Sequence, residues 1–310
     1  MPSPTLSIGV DIGGTHISCA AVDLDAGRLL PGSLSRMSYN HEAAADQILL
    51  AWATALNSTL AKVAPAPVKG IGFAIPGPFD YRNGVSKMQH KFKHLYDLRI
   101  PEALNGLLSP GHELPMRFLN DASAFGVGEA WLGEGKGYDK VVVITLGTGF
   151  GSAFLDRGVP VVLGESVPPE GCLWHLPFRD GIADQYFSTG WFVRENERLG
   201  RPPVQGVKEL IEKAGDEPVV QGMFERFGQN LAECLSPWLR RFGAQALVIG
   251  GNIAHALPLF GGSFKADLAV QGLRLHVAPS ALLEEAALLG SARLIDDAFW
   301  KRVSLHLPAI

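Results

Sequence analysis

Residues 10–23 read VDIGGTHISCAAVD, and residues 144–158 read ITLGTGFGSAFLDRG. Ahead of the first turn, Leu6, Ile8, Val10 and Ile12 alternate with small or polar residues, the spacing of a β-strand. Gly13-Gly14-Thr15 breaks that strand, Ile17 to Val22 predicts a second, and Asp25-Ala26-Gly27 turns the chain again. The later stretch repeats the plan. Val141 to Leu146 predicts an apolar strand, Gly147-Thr148-Gly149-Phe150-Gly151 a hairpin, Ala153 to Leu155 a return strand, and Asp156-Arg157-Gly158 a turn. A strand–glycine turn–strand unit occurring twice implies two structurally similar halves.

The rest of the chain fills in around these units. Ile48, Leu49, Trp52, Leu56 and Leu60 recur at helical spacing between His41 and Val63. Lys69 to Ile75 predicts a strand ended by Pro76-Gly77-Pro78, and residues 79–115 read as loop with a short helix. Met116 to Leu119 predicts a strand, Met223 to Phe242 a helix, Ala246 to Ile249 a buried strand, and Ser280 to Asp296 a closing helix. The fold class expected is α/β.

Composition narrows the function classes. The chain has 310 residues, 47% apolar and 19% charged, with mean hydropathy +0.14 and a net charge of −4 from 27 basic and 31 acidic residues. No basic block offers a face for nucleic acid, and no apolar run reaches the ~18 residues of a membrane span. The N-terminus lacks the basic and apolar regions of a signal peptide. Cys19, Cys172 and Cys234 are odd in number and far apart, which predicts a reducing, cytoplasmic setting and no disulfide framework.

Phosphate is held by backbone N–H groups in a tight glycine turn, where a side chain would block close approach. Asp11-Ile12-Gly13-Gly14-Thr15 offers such a turn with a carboxylate able to hold Mg²⁺ through water, and Gly147-Thr148-Gly149 offers another. Each alone is better read as an ordinary hairpin turn. Paired at matching places in two repeats, they favour a phosphate clamp. No GxxxxGK[ST] occurs, and GTGFG lacks the GxGxxG spacing and runs into a strand, so P-loop and dinucleotide sites are excluded. Asn120-Asp121 stands where a strand meets a small-residue helix start. Two roles fit Asp121: a helix N-cap, or a general base for an attacking hydroxyl. Gly250-Gly251-Asn252 fits a βα turn or a surface for the base and ribose of a nucleotide. Glu170, His175 and Asp184 lie in or near a Pro/Gly-rich loop and form a polar set able to read sugar hydroxyls.

Together these residues resemble the ROK family (repressor, open reading frame, kinase) of the actin/hexokinase/Hsp70 superfamily. Six blocks carry the resemblance in order over nearly the whole chain: VDIGGTHISCAAVD, PGPFDYRNGV at 76–85, FLNDASAFGVGEAWLG at 118–133, ITLGTGFGSAFLDRG, IGGNI at 249–253 and EEAALLGSARL at 284–294. The resemblance implies two actin-like (ribonuclease H-like) domains with mixed sheets flanked by helices and an active-site cleft between them. The smaller domain would comprise 1–118 plus 291–310, and the larger 119–290. It implies a glucokinase-like transfer of a phosphoryl group from ATP, or a related donor such as polyphosphate, to a hexose hydroxyl with Mg²⁺, in a homodimer. Asp121 would be the base. Asn120, Gly77, Glu170, His175 and Asp184 would hold the sugar, and Asp11, Gly13, Gly14, Thr15, Gly147, Thr148, Gly149, Gly250, Gly251 and Asn252 the donor side.

One departure from the family pattern stands out. The family commonly braces its sugar loop with a Cys₃His zinc site. Here RDGIADQYFS (179–188) contains no cysteine and Cys172 precedes His175, so no zinc site is expected. Trp174, Phe178 and Pro168-Pro169 are then the available stiffeners, with a place flanking the sugar face as the alternative for Trp174. Two other classes share parts of this pattern. A sugar-responsive repressor of this family carries a helix-turn-helix ahead of the first glycine turn, which here begins at Asp11. A catalytically silent sugar sensor would be expected to lack Asp121 or one glycine turn.

Overall fold

The structure, a computed structural model, describes residues 4–109 and 113–307. Its contacts divide the chain into two units: Met1–Gly133 with Gly158–Pro160 and Glu284–Ile310, and Glu134–Arg157 with Val161–Leu283. The division falls after Gly133, where 118 was the expected boundary, because the strand and helix at 116–132 pair and pack within the first unit.

The first unit opens with strands β1 (Leu6–Ile12), β2 (His16–Asp23), β3 (Arg28–Leu29) and β4 (Ser35–Ser38). Helix α1 (Ala45–Val63) follows, burying Ile48, Leu49, Trp52, Leu56 and Leu60 on one face, then β5 (Val68–Ile75). After a loop with the short helix Ile100–Asn105 come β6 (Met116–Asn120) and α2 (Asp121–Leu132). The sheet order is β3-β2-β1-β5-β6, with β4 also on β2. The β1–β2 and β2–β3 pairs are antiparallel, and β1–β5 and β5–β6 parallel.

The second unit repeats this layout. Strands β7 (Lys140–Leu146) and β8 (Phe150–Asp156) form its hairpin. Helices α3 (Thr189–Arg198) and α4 (Pro218–Phe242) precede β9 (Ala246–Gly250), α5 (Leu257–Val270) and β10 (His276–Pro279). The order β8-β7-β9-β10, antiparallel then parallel twice, matches β2-β1-β5-β6. The repeat read from two glycine turns is therefore a repeat of sheet topology. Phe192 of α3, Phe224, Phe227 and Leu231 of α4, and Phe260 and Phe264 of α5 fill the core of this unit.

The chain then returns to the first unit through α6 (Glu285–Arg293) and α7 (Asp297–Ser304). The closing helix expected over 280–296 is shorter, and α7 follows beyond it. Ser280 Oγ accepts the Leu283 N–H at 2.8 Å, Leu283 lies at φ +53°, and a turn occupies this stretch. Asp296 then caps α7 by accepting the Phe299 N–H at 3.0 Å.

Glycine sets how closely α6 approaches its neighbours. A Cβ on Gly9 of β1 would stand 1.9 Å from Leu288 O, and one on Gly72 of β5 1.8 Å from Ser291 O. Gly290 of α6 faces Ala124 O of α2 at 1.8 Å in the same sense. Backbone meets backbone here, so there is no flexible side-chain end to move aside. Gly290→Ala is expected to destabilise the protein by about 3 kcal/mol or more. A denaturant midpoint equal to that of the unsubstituted chain would show that the helix can shift to accept a methyl group.

Candidate functional site

Three parallel strands of the first unit end together, and their carboxyl ends carry its polar residues. Asp11 of β1 is in register with Ala74 of β5, and Ile75 with Asn120 of β6. Gly77 follows β5 and Asp121 opens α2. Ligands of open α/β sheets gather at such ends.

Asn120, not Asp121, is the helix cap. Asn120 Oδ1 accepts the Ser123 N–H at 3.2 Å, while Asp121, one residue into the helix, accepts the N–H of Ala122 at 2.9 Å. Tyr81 ties this corner together. Its hydroxyl donates to Ile75 O at 3.2 Å, accepts from Asn120 Nδ2 at 3.5 Å, and would lie 3.1 Å from a Cβ on Gly77. Burial lifts the pKa of Asp121 above the ordinary carboxylate value, and the charge of Lys91 acts against that rise.

Asp11 is shifted in the same direction. Burial first, then the charges of Asp121 and Glu284, push its carboxyl up to about 7, against the pull of Arg36. A carboxylate crowded by two others is a place where a divalent cation is favourable, and Mg²⁺ is commonly held by one or two carboxylates, waters and substrate phosphate. The charge at Asp11 fits that ion, which Asp11 would hold through water with substrate phosphate completing the set.

The first glycine turn follows at once. Gly13 N–H donates to His16 O at 2.9 Å, and Thr15 Oγ1 lies 3.3 Å from His16 Nδ1. Gly14 and Thr15 are exposed. A Cβ on Gly14 would meet nothing within 4 Å, and its φ is not in the left-handed region. Neither packing nor backbone conformation therefore demands glycine there.

The second unit builds its own turn. Gly147 N–H donates to Gly149 O at 3.1 Å, and Gly147 O accepts from the Thr189 N–H at 2.7 Å and its hydroxyl at 3.0 Å. Thr148 and Gly149 are exposed, and a Cβ on Gly147 would also meet open space. Gly251 is glycine for structural reasons: φ is +81°, and a Cβ would fall 2.3 Å from Leu146 O. That contact sets Gly250-Gly251 beside the end of β7. Exposed Asn252 begins a 3-10 segment, Asn252–Ala256, ahead of α5.

The loop carrying Glu170 is anchored to β8. Buried Ser152 donates its hydroxyl to Gly171 O at 2.8 Å and accepts the Leu173 N–H at 2.9 Å. Glu170 is exposed and left-handed at φ +57°, a conformation costly for a residue with a Cβ. Asp184 Oδ1 accepts the Phe150 N–H at 2.8 Å, and its own N–H donates to Trp174 O at 2.9 Å. Asp184 thus joins the loop to the second glycine turn. His175 is half-buried, its ring 5.2 Å from that of Trp174. Trp174 is 48% exposed, so it is not the packing brace expected; buried Leu173 and Phe178, with Ser152, have that role. Cys19 is buried in β2, Cys234 is in α4, and no group of three or more His, Cys, Asp or Glu side chains is placed to hold a metal among the described residues.

Ser152, Thr189, Tyr81 and Lys91 escaped the sequence reading. Ser152 is one small residue inside an apolar strand, and Thr189 reaches the turn from 42 residues away. Neither carries a local signal.

The ROK family profile matches residues 7–165, and the chain belongs to the ROK family. A glucokinase of Thermotoga maritima is 27% identical, covering 94% of this chain and 97% of its own. An N-acetyl-D-glucosamine kinase of Pectobacterium carotovorum is 24% identical over 80% and 84%. A ROK family glucokinase from Streptomyces griseus, solved with glucose and AMPPNP, superposes with a TM-score of 0.73 at 23% identity, covering 93% of this chain and 98% of that one. The fold is thus the actin-like α/β fold of the family. No helix among the described residues is long and apolar enough to cross a membrane.

Proposed function

We propose that this chain is a sugar kinase that transfers a phosphoryl group from ATP, or a related donor, to a hexose hydroxyl. The observation that carries the reading is Asp121. It lies at the carboxyl end of a parallel strand, is relieved of capping by Asn120, and is close enough to Asp11 to raise its pKa. The sugar hydroxyl oxygen attacks the terminal phosphorus, its proton passes to Asp121, and the bond to the bridging oxygen of the donor breaks with its electrons on the departing ADP or shortened polyphosphate. Mg²⁺, when bound, offsets the charge of the donor phosphates. In the first unit the exposed Gly14-Thr15 part of Gly13-Gly14-Thr15, and in the second the exposed Thr148-Gly149 part of Gly147-Thr148-Gly149, offer backbone N–H groups to phosphate, and Gly250-Gly251-Asn252 offers the nucleotide surface. Asn120, Gly77, Glu170, His175 and Asp184 read the sugar. The relatives named as glucokinase and N-acetyl-D-glucosamine kinase support the substrate class.

A panel of hexoses and N-acetylhexosamines, each with Mg²⁺ and either ATP or polyphosphate, tests the reading. Turnover with at least one pair is expected. A sugar that binds tightly yet is phosphorylated by neither donor would make the chain a silent sensor.

Glu170 supplies a second test. An exposed carboxylate held in a strained conformation by the Ser152 anchor is poised to accept hydrogen bonds from sugar hydroxyls. Its removal leaves those hydroxyls short of an acceptor, worth ~1–3 kcal/mol. Glu170→Ala is expected to raise the sugar KM about ten-fold or more with a smaller effect on donor KM. His175→Ala should act the same way more weakly. If Glu170→Ala matches the unsubstituted chain, the loop is structural and the sugar lies elsewhere.

A further inference from the structure

We infer that Tyr39 is a positioning residue for the phosphoryl donor, holding the carbonyls of the first glycine turn on its own side so that the N–H of Gly14 faces the phosphates. This rests on the reading of that turn as a donor site, and it concerns a residue that belongs to none of the six sequence blocks.

Tyr39 follows β4, whose Ser38 pairs with His16 of β2, so it lies across from Thr15. Its N–H donates to Thr15 O at 2.9 Å, and its hydroxyl donates to Gly13 O. One residue therefore holds both ends of the turn. A planar trans peptide sets its C=O and N–H on opposite sides. With the Gly13 carbonyl drawn to Tyr39, the N–H of Gly14 points the other way. That residue is exposed, with open space where a side chain would stand. Between two glycines this peptide has little to restrain it otherwise. A flip would present a carbonyl oxygen to an anionic donor where an N–H is wanted.

The clamp is itself held rigidly. The Tyr39 ring lies 6.2 Å from Trp52 of α1 and 5.9 Å from Phe92, and those two fully buried rings are 5.8 Å apart. Burial also drives the Tyr39 hydroxyl well above its ordinary pKa, so it remains a proton donor at any working pH.

Tyr39→Phe keeps the ring, its packing and the backbone bond to Thr15, and removes one hydroxyl. One hydrogen bond of ~1 kcal/mol corresponds to about five-fold in affinity. The KM for MgATP or polyphosphate, and the calorimetric Kd for the same donor, should rise about five-fold, with sugar KM unchanged as the control for an intact fold. An unchanged donor affinity overturns the inference. So does a sugar KM that rises in step with donor KM, since that marks a general loss of structure. Gly14→Val separates this from failure of the site reading. If donor binding tolerates Gly14→Val, the turn is not the donor site and both ideas fall. If Gly14→Val weakens donor binding and Tyr39→Phe does not, only the role of Tyr39 is lost.

Discussion

Asp121→Asn is expected to bind sugar almost normally while kcat falls ~10²–10⁴-fold, the usual worth of one general base. Asparagine keeps the shape of the side chain and can still accept the Ala122 N–H that Asp121 accepts at 2.9 Å. What it lacks is a place for the proton of the attacking hydroxyl. The helix should be unaffected, because the cap is Asn120. Burial raises the pKa of Asp121, so activity should fall on the acid side at a higher pH than an ordinary carboxylate would give. Steady-state kinetics with both substrates varied decide the matter. A variant with near-normal kcat would remove Asp121 from the chemistry.

Asp11→Asn is expected to be more stable than the unsubstituted protein above pH 7 and far less active. The sign follows from its pKa, about 7 in the folded protein against 3.8 for a free carboxyl. The folded state then holds the Asp11 proton more tightly than the unfolded state does. Well below pH 4 both states are protonated and Asp11 makes no difference. As pH rises from about 4 to about 7 the unfolded state gains progressively from releasing its proton, so stability is lost, and above 7 the loss is complete. Asparagine removes that charge. The melting temperature of Asp11→Asn should therefore exceed the parent by a few degrees at pH 8 and converge with it near pH 4. Loss of a carboxylate that acts on a metal through water typically costs 10–100-fold in activity or metal affinity, and turnover should fall by about that factor. A melting temperature below the parent at pH 8 would show that Asp11 is stabilising as an anion. Full activity would take it out of the site.

Much of the architecture was legible in the sequence because it depends on near neighbours. Alternation over Leu6–Ile12 needs only the two-residue period of a strand, the run Val141–Leu146 only its apolar β-branched composition, and Ile48 to Leu60 only the helical period. Both glycine turns and Asn120-Asp121 stood out for the same reason, as did the repeat, which the matching sheet orders bear out. The assignment of the cap was not legible. Asn120 and Asp121 are adjacent and either side chain suits an N-cap, so the backbone dihedrals at the end of β6 made the choice.

Other features are set by residues far apart in the chain. The Gly290–Ala124, Gly72–Ser291 and Gly9–Leu288 approaches exist only because α6 returns to a sheet and a helix formed from the first 133 residues. The anchor of Glu170 is a serine on β8, and the clamp on the first glycine turn is a tyrosine beyond β4. Hydrogen bonds of this kind span 19 and 26 residues respectively, and no local period encodes them. The sequence by itself determined the strands, the turns and the carboxylate at their end, since these follow from local backbone preference and the side chains there. Only the tertiary structure decided how those turns are held and which charges act on Asp11 and Asp121, because burial and electrostatic coupling arise from atoms that folding alone brings together.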